Sequence, residues 1–263
     1  MSDVAQPLPP QASRPRSGVQ SLDRAFLILE AIADAGGVAT LSQLAPATGL
    51  PLPTVHRLVR TLVDLGYVRQ EPSRQYSLGP KLIRLGDITS RRLEAWSGPH
   101  LAKVVAELGE SVNLATLDGD QIVYVAQRMA SQNSMRMFTE VGRRVDPHTT
   151  AVGKAMLAHA PAADVRALLS RTGMARRTEH TIVTPDDFLA ELERTKERGF
   201  ALDNQEQEIG VRCVAVEVPD SHHRLALSMS GPLSRMGDDI IERAVGPLRD
   251  AARSIRDELA TQG

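Results

Sequence analysis

An α+β chain of two domains is what this sequence predicts, with a winged helix-turn-helix at its N-terminal end. Helix, helix, turn, helix and hairpin patterns follow one another within residues 19–79. Beyond residue 98, short alternating segments are flanked by segregated helical patterns, the mark of an α+β layer. The charges divide the chain as well. Residues 1–95 hold 11 Lys and Arg against 8 Asp and Glu, whereas residues 96–263 hold 20 against 24. The expected organisation is an arm over 1–18, the winged helix over 19–79, a connecting helix over 80–97 and a larger domain over 98–263.

Residues 1–18 carry four prolines and no apolar periodicity, so they read as a disordered arm. Ser21 is a good N-cap. Leu22, Phe26, Leu29, Ile32 and Ala33 then fall on one helical face that Gly36-Gly37 ends. A short helix from Leu41 or Ser42 to about Thr48 contains Pro46, which needs the first turn or a local distortion. Pro51-Leu52-Pro53-Thr54 opens a third helix. Its inner stripe is Val55, Leu58, Val59, Leu62 and Val63, and its outer face is Thr54, His56, Arg57, Arg60 and Thr61. Two alternating segments, 67–70 and 75–78, flank a Pro/Ser turn and predict a hairpin.

The spacing of Leu82, Leu85, Ile88, Leu93 and Trp96 predicts the connecting helix, stopped at Ser97-Gly98-Pro99. A helix over 101–108 follows. Strands 111–117 and 121–127 are joined by Asp118-Gly119-Asp120, a strong hairpin signal. Further strands are expected at 134–141, 212–218 and 225–230, and helices at 151–160, 162–170, 185–199 and 238–260, the last kinked at Gly246-Pro247.

Composition excludes several classes. Aromatic residues make up only 3%, which argues against a single-strand binder built on stacking platforms. One cysteine rules out an internal disulfide framework and a cysteine-rich zinc module. No apolar run reaches the roughly 18 residues of a membrane span, and the N-terminus lacks the apolar stretch of a signal peptide. A soluble cytoplasmic protein without metal or cofactor is expected.

Within residues 51–84 there are six basic residues to two acidic, plus His56. A positive stretch on a helix-turn-helix points to double-stranded DNA. Arg57 and Arg60, three apart, share one helix face and suit guanine edges or phosphates. Pro53, Thr54 and His56 lie in the first turn of the same helix, where a recognition helix meets bases. Arg69 and Arg74 lie on the hairpin, and Arg14 and Arg16 on the arm, where each could reach backbone or minor groove. A solvated helix face is the bland alternative, and the neighbouring short helix and hairpin weigh against it.

These stretches also carry a resemblance. Residues 18–30 (GVQSLDRAFLILE), 50–67 (LPLPTVHRLVRTLVDLGY) and 76–86 (YSLGPKLIRLG) resemble the N-terminal domain of IclR-family bacterial transcription regulators. Residues 148–158 (HTTAVGKAMLA), 198–219 (RGFALDNQEQEIGVRCVAVEVP) and 227–232 (LSMSGP) resemble that family's effector domain. Residues 134–144 (SMRMFTEVGRR) are similar to actinobacterial members linked to allantoin and glyoxylate use. The resemblance implies a GAF/profilin-like domain that binds a small organic acid or ureide, and a protein that is not an enzyme. It maps the effector contacts onto Asp203, Cys213, Ser228, Ser230, Ala151 and Val152, with Ser134, Met137 and Val145 as walls.

Physics supports part of that mapping. Ser228 and Ser230 are two apart on a strand and point to one face. Backbone amides at Ala151–Gly153 would sit at a helix start, where carboxylates are favoured. Asp203 suits an anion only if it is protonated or accepts from a ligand hydroxyl or amide. The bland alternatives are a buried strand thiol for Cys213, an edge-strand polar face for the serines and a turn acid for Asp203. Glu206 and Glu208 read as loop or rim charges.

Enzyme signatures are missing. Val152-Gly-Lys-Ala is no P-loop, because His148 holds the first glycine position and Ala155 replaces Ser/Thr. Adjacent His222 and His223 would point to opposite strand faces and could not chelate together. His148 reads as a capping or packing residue. The expected function is a homo-oligomeric regulator, dimer or tetramer, that binds promoter DNA and responds to a metabolite, repression first. The alternatives are an activator of aromatic or organic-acid catabolism genes, a metabolite enzyme with a DNA-binding domain, or an architectural DNA binder without ligand.

Overall fold

The computed structural model describes residues 19–130, 139–219 and 224–262. The chain divides into two units at Arg91/Arg92. The first contains α1 (Gln20–Asp34), β1 (Val38–Ala39), α2 (Leu41–Thr48), α3 (Leu52–Asp64), β2 (Val68–Gln70) and β3 (Tyr76–Leu78). Ile28 and Ile32 of α1, Leu44 of α2, Val55, Val59 and Leu62 of α3, and Val68 of β2 make its buried core. The expected stripe of α3 packs inward, but that of α1 does so only in part: Leu22, Phe26 and Ala33 are exposed, and the inward face runs through Ile28 and Ile32. The hairpin forms, and the unforeseen β1 adds a third strand in the order β1-β3-β2.

Two local starts differ from expectation. Helix α1 begins at Gln20, with Val19 in the cap position and no side-chain cap, so Ser21 is already inside the helix. Helix α2 takes its cap from Thr40, whose hydroxyl accepts from the Gln43 amide at 3.3 Å while the Gln43 side chain accepts from the Thr40 N–H at 2.8 Å.

Helix α4 (Lys81–Leu108) runs unbroken through the expected stop at Ser97-Gly98-Pro99. Its fixed φ lets proline continue a helix, and the price is one lost bond and a crowded carbonyl four residues back. Here both Pro99 and Ala95 are exposed, so water can satisfy that carbonyl. Meanwhile Trp96, Ser97, Gly98 and Leu101 are buried and hold the helix to the core. Pro46 in α2 follows the same logic, being exposed together with Ser42. Helix α8 (Asp238–Gln262) likewise passes through Gly246-Pro247 without interruption.

The second unit is built on a six-stranded antiparallel sheet of order β6-β5-β4-β9-β8-β7. Its strands are β4 (Ser111–Asp118), β5 (Gln121–Arg128), β6 (Arg144–Val145), β7 (Ala201–Asn204), β8 (Val211–Glu217) and β9 (Leu225–Pro232). The Asp118-Gly119-Asp120 hairpin forms as expected, with Gly119 at φ +62°. The strand expected at 134–141 lies mostly outside the described residues, and 139–141 are not strand. The short β6 pairs with β5 instead. Strand β7 was not anticipated.

Each sheet face packs on helices. Val112, Leu114, Val214, Val216, Leu227 and Met229 meet α8 and the C-terminal half of α4. Ala115, Tyr124, Ala201, Ala215 and Ala226 meet α5 (Ala151–Leu157), α6 (Ala162–Thr172) and α7 (Pro185–Arg198). The small residues at the sheet centre let α5 approach closely. A Cβ at Gly153 would lie 2.1 Å from the Pro147 carbonyl oxygen, which is backbone and cannot swing away. Gly153→Ala is therefore expected to destabilise this unit by about 1–3 kcal/mol, the usual range for an overpacked site. A urea midpoint equal to that of the wild type would show that the loop before α5 yields freely.

Candidate functional site

Helix α3 presents two faces. Val55 and Val59 are buried, whereas Pro53, His56, Arg57 and Arg60 are exposed and Thr54 is half-buried. Among the described residues, the side chains of His56, Arg57 and Arg60 take no ion pair or hydrogen bond. Such cations on a rigid, well-packed helix are available to an anionic partner. On the hairpin, Arg69 approaches Glu71 at 3.5 Å, and that pair is largely solvated. The Glu71 carboxyl is held below its ordinary value, first by the Ser77 hydroxyl and then by Arg69. Arg74 caps the turn with φ +63°, a left-handed conformation, and its side chain is exposed. All seven sequence-selected residues of this unit therefore lie on α3 or the hairpin. Arg14 and Arg16 fall outside the described residues.

In the second unit, cross-strand register assembles a polar row on the sheet face that meets α5. Asp203 of β7 pairs with Cys213 of β8, and Cys213 pairs with Ser230 of β9. Ser228 pairs with Ala215 on one side and with Asn113 of β4 on the other. Asn113 in turn faces Gln127 of β5. Asp203, Asn113, Ser228 and Ser230 are all buried. The expected quartet of Asp203, Cys213, Ser228 and Ser230 thus comes together, and Asp203 is a strand residue rather than a turn acid.

Hydrogen bonds connect the row. Asn113 Nδ2 lies 3.2 Å from Ser230 Oγ and 3.5 Å from Ser228 Oγ. Gln127 Nε2 donates to Asn113 Oδ1 at 2.9 Å and to Thr139 Oγ1 at 2.6 Å. The partly buried Cys213 lies in polar contact with the Ser230 hydroxyl and the Asp203 carboxyl, and burial drives its thiol ionisation upward. Burial likewise pushes the Tyr124 phenol up, with Cys213 and Asp203 adding to the effect. A thiol so far from its thiolate is a poor nucleophile.

Behind the row lies a buried ion pair that sequence reasoning missed. Lys154 of α5 is 1% exposed, and its Nζ reaches Glu206 Oε1 at 2.5 Å and the Leu202 carbonyl at 2.7 Å. Glu206 Oε2 is buried without a partner. Glu206 does lie in the loop between β7 and β8, but it is buried and paired instead of solvated, and burial raises its carboxyl while Lys154 opposes that rise. Asp203 Oδ1 accepts from the Glu206 N–H at 2.8 Å. Burial, and then the Glu206 charge, push Asp203 up to about 7 from its usual 3.8, against the pull of Lys154.

The sign of that shift sets a pH dependence. A carboxyl raised on folding favours the protonated fold, so its contribution is complete below the unfolded value near 3.8 and is lost as pH climbs through about 7. Wild type is therefore expected to lose stability relative to Asp203→Asn between about pH 4 and 7, as measured by urea denaturation at each pH. Parallel pH profiles for the two proteins would remove Asp203 from the titration.

Other expected contacts stand nearby or outside view. Ala151, Val152 and Val145 are buried in the same cluster that Cys213 packs against. Ser134 and Met137 lie outside the described residues, as do His222 and His223. The helix expected over 151–160 ends at Leu157, and the Gly153 N–H is taken by the Thr150 hydroxyl at 3.1 Å, so it is not free for an anion. His148 is fully buried. Its Nε2 lies 3.2 Å from the Ala175 carbonyl and burial lowers its protonation, consistent with a packing residue. Asn113 and Lys154 had signals in the sequence. One is the polar residue inside an apolar strand, and the other is the charge within an otherwise apolar helix, Ala151–Leu157.

No group of three or more His, Cys, Asp or Glu side chains fit to hold a metal is present among the described residues. No helix among them is long and apolar enough to cross a membrane.

Comparison with known proteins assigns both units. Residues 21–72 match the IclR helix-turn-helix domain, and residues 87–257 match the bacterial transcriptional regulator IclR C-terminal family. Over 254 residues the chain is 35% identical to the transcriptional repressor IclR of Escherichia coli, covering 94% of this chain and 93% of that protein. It is 35% identical over 254 residues to the acetate operon repressor of Salmonella typhimurium, with the same coverage of 94% and 93%. A crystal structure of an IclR transcriptional regulator from Alicyclobacillus acidocaldarius superposes with a TM-score of 0.81 at 28% identity, covering 91% of this chain and 98% of that one.

Proposed function

Because this chain belongs to the IclR family of bacterial transcriptional regulators, we propose that it is a repressor whose hold on a promoter operator is released by a small metabolite. The exposed cationic face of α3 is the observation that carries the DNA half of this reading. Pro53, Thr54, His56, Arg57 and Arg60 meet the major groove, and Arg69 and Arg74 meet backbone or minor groove. The units 19–79 and 98–263, joined by the helix over 80–97, act as reader and sensor, and the arm over 1–18 follows the DNA.

The polar row carries the other half. Asp203, Cys213, Ser228 and Ser230 contact the effector, with Ala151, Val152, Val145, Ser134 and Met137 around it. Both matched relatives are named as repressors, and one is named for the acetate operon. A small organic acid or ureide, of the glyoxylate or allantoin kind, suits the hydroxyl and amide groups here. The effector domain corresponds to the GAF/profilin-like type, and the protein works in the cytoplasm beside its DNA. A ligand shifts DNA binding only through unequal affinity for two arrangements of the protein.

A dimer is the working minimum, since paired half-sites need two recognition helices. Leu22 and Phe26, one turn apart on α1, are 58% and 62% exposed, which supports burial of that face in self-association. The test is a thermal-shift screen of the purified protein against small acids and ureides, followed by operator binding with each hit. A hit that lowers operator affinity supports the repressor. A hit that raises it supports an activator instead. Stabilising hits without any effect on DNA would sink the sensor reading.

A further inference from the structure

At the far end of β8 from the polar row, the second unit has another cleft, of about 290 Å³. Glu217, on its wall, lies four residues along β8 from Cys213, roughly 13 Å at the usual strand rise. Helix α8 supplies Arg249, Arg253 and Arg256, and the turn after α5 supplies the exposed His159. The buried Val216 and Ala252 form its apolar floor.

Helical spacing explains why the arginines gather. Positions 249, 253 and 256 stand at 0, +4 and +7 along α8, so their side chains share one side of the helix. Leu248, Ala252 and Ile255, one position earlier each, are buried in the core against the sheet. The cationic stripe therefore runs along the flank of the packed seam, not along the pole that faces water. Arg249 Nη2 donates to the Gly199 carbonyl at the end of α7 at 2.9 Å, which fixes that guanidinium in place and leaves it donors to spare. Capping a helix end calls for one arginine, not three.

The charge here runs against that of its domain. Residues 96–263 hold 20 Lys and Arg against 24 Asp and Glu. Among the described residues lining the cleft, three arginines meet a single carboxylate, Glu217, which also lies in the field of Arg224. Arg253 pairs with Asp250, and Arg256 with Asp257 at 2.7 Å. Both acids belong to α8 itself, and their side chains are 66% and 67% exposed. Solvated pairs of this kind hold their partners weakly, so an anion in the cleft can compete for both guanidinium groups.

Guanidinium forks match the oxygens of carboxylates and phosphates. A lone carboxylate has two coplanar oxygens, enough for one fork. A phosphate ester has three strong acceptor oxygens spread in space and is nearly doubly charged at neutral pH, so it can engage arginines from successive turns. We propose that this cleft is a second small-molecule site, separate from the polar row, that takes a phosphorylated metabolite on Arg249, Arg253 and Arg256. Its size lies at the lower end for small-molecule sites, which suits a phosphate on a short carbon chain.

The experiment is calorimetric titration of the full-length protein with inorganic phosphate, glycerol 3-phosphate, glycerol and succinate. Wild type is expected to bind glycerol 3-phosphate saturably, one per chain, at least tenfold more tightly than succinate and with no measurable uptake of glycerol. Arg253→Gln combined with Arg256→Gln is expected to weaken glycerol 3-phosphate tenfold or more at an unchanged melting temperature, since both side chains reach solvent. Should the double variant fold poorly, Arg253→Gln alone is expected to weaken it at least threefold. Ser230→Ala, in the polar row, is expected to leave this affinity as it is.

If neither phosphate nor glycerol 3-phosphate binds wild type up to about 10 mM, the site does not exist. Full-strength binding in the arginine variants would overturn it equally. Binding lost in Ser230→Ala and kept in the arginine variants would place the ligand in the polar row and remove the second site. Succinate binding as tightly as glycerol 3-phosphate would overturn the phosphate class.

Discussion

Lys154→Ala is expected to cost the C-terminal unit about 3–5 kcal/mol, the range found when one member of a buried ion pair is removed. The reason is the company the ammonium keeps. Its Nζ lies 2.5 Å from Glu206 Oε1 and 2.7 Å from the Leu202 carbonyl, with the two side chains 1% and 9% exposed. Alanine leaves the Glu206 carboxylate and the carbonyl without their donor in a place water does not reach. It also leaves Asp203 and Glu206 facing each other with no cation between them, which pushes both further toward their protonated forms. The measurement is urea denaturation at pH 7, followed by circular dichroism.

The companion measurement separates charge from packing. In the double variant Lys154→Met with Glu206→Gln, no charge is stranded, and much of the loss is expected to return. A single-variant loss below about 1 kcal/mol would mean that solvent reaches the pair and that it contributes no more than a surface bridge. A double variant as unstable as Lys154→Ala would place the whole effect in shape.

Arg57→Ala combined with Arg60→Ala is expected to lower operator affinity on the order of 100-fold or more, each arginine contributing about 1–3 kcal/mol if it makes a bidentate base contact. Both side chains are exposed on the face of α3 opposite Val55 and Val59, so their loss leaves the core of the unit intact. The melting temperature should therefore hold while binding falls. Gel-shift titration over a salt series distinguishes the two kinds of contact. Loss of a phosphate contact weakens all sequences alike and reduces the salt slope by about one per residue, whereas loss of a base contact relaxes specificity at one position. Undiminished affinity in the double variant would move the DNA contacts away from this helix.

Local pattern carried much of this protein. The stripe of α3 was legible because apolar residues at helical spacing need no knowledge of the partner surface. The Asp118-Gly119-Asp120 turn was legible because only a few residues tolerate a tight hairpin. Ser228 and Ser230 were legible as a pair because alternation along one strand places them on one face. Where local rules failed, burial had overruled them. Helix α4 crosses Pro99 because its neighbours Trp96, Ser97 and Leu101 are held in the core. Residues 201–204 became a strand because β8 offered an edge, which a sequence window does not contain.

By itself, then, the sequence determined most of the helices and the longer strands, the inner stripe of α3, and that a cationic helix and a serine pair exist. The tertiary structure alone decided what stands beside what. Register brings Asp203, Cys213 and Ser230 side by side from three strands. A bulge at Leu114/Ala115 lets Tyr124 and Gln127, three apart, face the same side. Lys154 meets Glu206 across 52 positions of chain. Periodicity is a property of neighbours in sequence, whereas register, desolvation and the charge state they impose on Asp203 arise only when distant strands close on one another.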